Sequence, residues 1–156
     1  MWLSDKAFQD VVHCTPLISL DFVVVNPNGE WLLGKRVNRP AQGKWFVPGG
    51  RVLKGERLDN AFCRLMQGEL GIDTNRENAH FLGVYEHFYE DSVFGEFLST
   101  HYVVLGYMVE LSLDLKTLPD TQHASFRWWP LSELLASQDV HANTQAYAQA
   151  VQSIYA

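Results

Sequence analysis

Eight of the twelve basic residues of this 156-residue chain fall in one stretch: Lys35, Arg36, Arg39, Lys44, Arg51, Lys54, Arg57 and Arg64. Only Glu56 and Asp59 oppose them there, so the stretch carries +6 while the rest of the chain carries −12. A strongly basic segment in an acidic protein is suited to holding a small anion locally. Charge alone leaves a solvated basic loop as the other reading. Arg36 and Arg51 are the candidates for clamping such an anion, because a planar guanidinium matches paired anionic oxygens in a two-pronged geometry. Lys35 and Arg39 are expected at the periphery.

These residues need a framework. Residues 18–25 are β-branched and aromatic and end at the turn Asn26-Pro27-Asn28-Gly29, after which 31–36 reads as the returning strand of a hairpin that delivers Arg36. A loop from 37 to about 55 follows. Five of the eleven glycines and two prolines sit between Gly34 and Gly55, a composition that leaves backbone amides turned toward a ligand. Leu58, Ala61, Phe62, Leu65 and Met66 recur at helical spacing, predicting a helix over 56–70 closed by Gly71. Residues 81–89 and 100–109 read as an antiparallel pair, 126–129 as a short strand, Pro130 as the opening of a short helix, and 143–154 as a final helix. Strands, one helix, more strands and then helices predict a single α/β domain over 1–156, a mixed sheet with helices on its faces.

From Gly50 the chain follows the pattern of the Nudix box: Gly, five residues, Glu, seven residues, then Arg-Glu-apolar-x-Glu-Glu-x-Gly-apolar. Gly50, Glu56, Arg64, Met66, Glu69, Gly71 and Ile72 match, while Leu65 and Gly68 replace two of the expected glutamates. In the usual box the residues at 65, 68 and 69 share one helical face and bind hard divalent cations. Here Glu69 alone remains. The departures coincide with further matches: Ser19-Leu20-Asp21-Phe22, Gly34-Lys35-Arg36, Asn38-Arg39-Pro40-Ala41-Gln42-Gly43, Trp45 to Arg51, Thr100 to Gly106, and Pro119-Asp120 followed by Gln122-His123. Together these resemble the GDP-mannose mannosyl hydrolase family of the Nudix superfamily, over roughly residues 15–147.

That resemblance implies a Nudix α/β/α sandwich with a mixed β-sheet, a homodimer, and one magnesium ion per subunit, with manganese as a substitute. It also implies hydrolysis of GDP-mannose, or GDP-glucose, to GDP and free sugar by water attack at the anomeric carbon. Its metal ligands would be Glu69, the Gly49 carbonyl and Gln122, with phosphate oxygens completing the coordination. His123 would be the general base, since imidazole takes a proton from water near neutral pH. Arg36, Tyr102, Asp21 and His87 are the other catalytic positions. Asp21 could equally be a strand-edge carboxylate and His87 a sheet-face residue. Arg36, Arg51 and Arg64 would meet phosphate, Arg64 also pairing with Glu56 to fix the box loop. Trp2 and Phe8 could stack on the base across a dimer interface, or simply pack. His13, His80, His101 and His141 lack metal-site spacing.

A net charge of −6 argues against a broad nucleic-acid-binding face, and no apolar run is long enough to span a membrane. Cys14 and Cys63 fit two reduced thiols in a cytoplasmic protein. Two other functions remain open on the sequence: a Nudix pyrophosphohydrolase that cleaves a nucleotide sugar at phosphorus, and a non-catalytic nucleotide-sugar sensor.

Overall fold

The computed structural model describes residues 2–119 and 123–156, without the side chains of 123 and 124. The elements in chain order are α1 (Asp5–Cys14), β1 (Leu17–Val25), β2 (Trp31–Arg36), β3 (Trp45–Phe46), β4 (Gly49–Arg51) and α2 (Leu58–Leu70). Then come β5 (His80–Tyr89), β6 (Thr100–Glu110), β7 (His123–Trp129), α3 (Leu131–Ala136), α4 (Ala142–Gln145) and α5 (Ala148–Ile154).

Strand β1 organises the molecule because its alternation feeds two cores. Leu20, Phe22 and Val24 face α2 and join Ala61, Phe62, Leu65, Met66 and Leu70 in one buried cluster. Val23 and Val25 face the other way, toward Leu134, Val140, Tyr147, Ala148 and Val151 of the C-terminal segment. Each large side chain buried in this way contributes roughly 1.5–3 kcal/mol. The same alternation puts Asp21 on the face of Val23. The sheet runs β3-β2-β1-β6-β5, with β4 added to β1 and β7 to β2. It is mixed, for β1 and β6 are parallel from Leu17↔Tyr102 to Val25↔Glu110 while the other pairings are antiparallel. Helices cover both faces, and the expected α/β sandwich is what forms.

Four local expectations differ. The hairpin of β1 and β2 pairs only at Val25↔Trp31, because β4 takes the same edge of β1 further back, at Ser19↔Arg51 through Asp21↔Gly49. Helix α2 starts at Leu58 rather than 56, since the Glu56 carboxylate is engaged by the loop: its Oε1 accepts from the Leu53 amide at 3.0 Å. The final helix is two short ones. Between them the Tyr147 amide bonds to the Thr144 carbonyl at 3.2 Å, a tightened turn, while Thr144 Oγ1 accepts from the Val47 amide. Helix α1 was not anticipated, although Ser4 caps it by accepting from the Ala7 amide and Phe8, Val11 and Val12 form its apolar stripe.

Candidate active site

A cavity of about 250 Å³ opens where α1, β1, β4, the loop after β2 and the ends of β5 and β6 converge. Asp21, Arg36, Gly49, Arg51, His87, Tyr102 and Phe8, all nominated from the sequence, line it together. Parallel pairing of β1 with β6 and antiparallel pairing of β6 with β5 bring residues 21, 87 and 102 to one side, His87 being the register partner of Tyr102.

The arginines and Tyr102 form one electrostatic unit. Arg36 Nε donates to the Pro40 carbonyl at 2.8 Å, which ties the loop back across the mouth. The Arg51 guanidinium lies over the Phe8 ring at 4.0 Å. Burial lowers the affinity of Arg51 for its proton, and the neighbouring Arg64 adds to that, with Tyr102 opposing. A partly desolvated guanidinium in the cavity wall favours an anion beside it. Burial pushes the Tyr102 phenol upward against the pull of Arg36 and Arg51, so it stays a hydrogen-bond donor.

Asp21 and His87 are both buried, at 7% and 4% exposure. Burial pushes the Asp21 carboxyl up to about 7, with the Tyr147 hydrogen bond and Arg36 acting the other way. Burial holds the His87 imidazole down at about 4, helped by His141, so it is neutral near pH 7. Among the described residues, His87 Nε2 is buried with no hydrogen-bond partner, in a side chain that lines the cavity. A buried polar atom of that kind is suited to a ligand.

Other nominated residues lie elsewhere. Arg64 grips Glu56 through two bonds, at 2.7 and 2.9 Å, and donates to the Arg51 carbonyl at 2.8 Å. It staples the box loop to α2 and is absent from the cavity lining. Glu69 is half-buried on α2 with Oε2 shielded from solvent, also outside the lining. Gln122 and the His123 side chain lie outside the described residues; the backbone of 123 pairs with Arg36.

Three features were missed. Tyr89 lines the cavity two residues beyond His87 on the same strand face, which the period of two could have signalled, and its hydroxyl accepts from Asn143 Nδ2 at 3.1 Å. Tyr147 donates to Asp21 Oδ2 at 2.6 Å across 126 residues of chain, and nothing in the local sequence announces it. Arg39, expected at the periphery, lines the cavity and reaches Asp91 at 3.9 Å and Glu96 at 3.4 Å.

Comparison with known proteins decides the family. The NUDIX domain model matches residues 16–150. The chain belongs to the Nudix hydrolase family. A Haloferax volcanii protein named low-salt glycan biosynthesis protein Agl8 is 40% identical over 125 residues, covering 80% of this chain and 78% of that protein. The crystal structure of a MutT NUDIX hydrolase from Burkholderia pseudomallei is 28% identical, with a TM-score of 0.69 over 88% of this chain and 98% of that one. A MutT protein from Methanosarcina mazei Go1 shares the fold at 20% identity, with a TM-score of 0.71 over 90% of this chain and 97% of that one.

Nudix hydrolases generally use divalent metal ions such as magnesium, and this chain's donors limit the kind of site it could build. Among the described residues no group of three or more His, Cys, Asp or Glu could hold a metal. Leu65, where the Nudix box has an acid, is 5% exposed and packs its Cδ2 on Gly50. Gly68, the second such position, faces open space. Glu69 is the remaining acid of that face. Among the described residues this leaves a single hard-oxygen carboxylate on that face, which could supply one ligand to a divalent cation whose remaining ligands come from elsewhere.

Proposed function

We propose that this Nudix hydrolase cleaves a GDP-sugar, GDP-mannose or GDP-glucose, at the sugar carbon, releasing GDP and the free sugar with inversion. The observation that carries the reading is the depleted acidic face of α2, where Leu65 is closed into the core and Gly68 is bare. Attack at phosphorus brings a nucleophile into a polyanionic centre, where extra metals help. Attack at an anomeric carbon chiefly needs a stabilised leaving group and a base on the opposite face. The glycan-biosynthesis name of the 40% identical relative supports a sugar-bearing substrate.

Glu69, the Gly49 carbonyl and Gln122 would hold a magnesium ion, or manganese in its place. When bound, such an ion neutralises charge on a diphosphate. Arg36, Arg51 and Tyr102 orient that diphosphate from the cavity wall, with Arg64 behind Arg51. Phe8 covers one face of Arg51 and contributes the apolar wall beside it. Asp21 and His87 face the sugar: the neutral His87 ring offers Nε2 to a sugar hydroxyl. His123 takes the proton from the attacking water, and the backbone pairing of residue 123 with Arg36 supports this by bringing that segment to the strand that carries the clamp. The reading treats residues 1–156 as one domain, acting as a cytoplasmic homodimer; no described helix is long and apolar enough to cross a membrane.

Phosphorus NMR of GDP-mannose with the enzyme and magnesium tests this directly. GDP as the one phosphorus-containing product is expected. GMP with a sugar phosphate would assign attack to phosphorus, and an unchanged substrate would make the protein a sensor.

A further inference from the structure

Behind the cavity lies a hydrogen bond that the proposed chemistry does not use. Tyr147, at the junction of α4 and α5, is fully buried, and its hydroxyl donates to Asp21 Oδ2 at 2.6 Å. The ring passes over a notch in the sheet. Gly106, the register partner of Asp21 on β6, provides it: a Cβ there would lie 3.0 Å from Tyr147 Cε1 and 3.3 Å from Tyr85 Cε2. Tyr85 braces Tyr147 edge-on, with centroids 4.6 Å apart. On the opposite side, a Cβ at Gly49 would come within 2.6 Å of Asp21 Oδ1 and would meet the Leu20 carbonyl. One carboxylate oxygen is therefore held by a phenol and the other is bounded by the β4 backbone, at a residue that lines the cavity.

We propose that Tyr147 is a positioning residue: acting through Asp21, it holds that carboxylate in one rotamer toward the sugar, and Gly106 supplies the space that lets it reach. The proposal rests on the reading of Asp21 as a sugar-side residue. A short O–H···O bond in a dry interior is costly to break, because both groups would then be buried unpaired. That cost fixes the carboxylate before substrate arrives, which is what preorganisation of a catalytic group requires. The same segment repeats the device at Asn143, which donates to Tyr89.

Tyr147→Phe removes the hydroxyl and keeps the ring. With GDP-mannose it should lower kcat about tenfold while KM stays near wild type, the loss of an interaction that matters in the transition state. In an Asp21→Asn background the same substitution should change kcat no further, whereas a merely structural role would give independent effects that multiply. Three-bond couplings that report the Asp21 χ1 angle should show one rotamer in the wild type and averaging in Tyr147→Phe, with no substrate needed. Gly106→Ala, which crowds the ring and keeps the hydroxyl, is the second variant and should move kcat and the couplings in the same direction. Couplings that stay those of one rotamer, or independent effects on kcat, would overturn the proposal. Failure of the wild type to cleave GDP-mannose would overturn the functional reading instead, and the couplings would still decide whether Tyr147 holds Asp21.

Discussion

His87 shows how burial prepares a residue for a neutral role and what that costs. Its imidazole protonates near 4 in the folded protein and near 6.5 when free, so between these values the unfolded chain binds the extra proton. Stability contributed by His87 is therefore complete above about pH 6.5 and lost as pH falls toward 4, by at most about 3.5 kcal/mol at 1.4 kcal/mol per pH unit. His141, Tyr89 and Tyr147 face the ring, and Asp21 beyond Tyr147 titrates in the opposite sense. The quantity to measure is thus the difference between wild type and His87→Gln in denaturant unfolding from pH 7 to 4: the wild type should lose the advantage that this slope describes. Arg36 and Arg51 stood out by their chemistry and their place in the basic stretch, whereas Asp21, His87 and Tyr102 were nominated through the family resemblance; all five line the cavity. Tyr89 and Tyr147 were not legible, since an aromatic in a strand or helix reads as core, and only tertiary contact turns its hydroxyl toward a carboxylate or amide.

Among the elements, α2 carries the clearest divergence. Leu65 and Met66 face the sheet with Phe62, while Gly68 points to open space. Leu65→Glu should unfold or severely destabilise the protein, by about 3 kcal/mol or more, because it buries a charge against Gly50 with no partner. Gly68→Ala should raise stability by roughly 0.5–1 kcal/mol, the cost of glycine inside a helix. Paired denaturation curves check both. The helix itself was legible from its spacing, and its closure at Gly71 follows from φ of 68°, where glycine is unstrained. Its start was not: the Glu56–Arg64 pair was expected, but the bond from the Leu53 amide that keeps Glu56 in the loop was not. Helix α1 had a legible cap and stripe. What the sequence lacked was its destination, the packing of Phe8 on Phe94 and under Arg51.

At the scale of the molecule, the order of strands and helices was enough to predict a mixed sheet with helices on its faces. It was not enough for the pairing order, because the partners of β1 are set by β4 and β6, about 30 and 85 residues away in the chain, through contacts that no local pattern encodes. That pairing order is what gathers residues 21, 49, 87 and 102 around one cavity, and so the functional reading depends on it. The most direct test is hydrolysis of GDP-mannose in oxygen-18 water. Attack at the anomeric carbon predicts label in mannose and none in GDP, with β-mannose appearing first from the α-linked substrate in proton NMR taken before mutarotation. Label in the nucleotide product would place the attack at phosphorus and contradict the account.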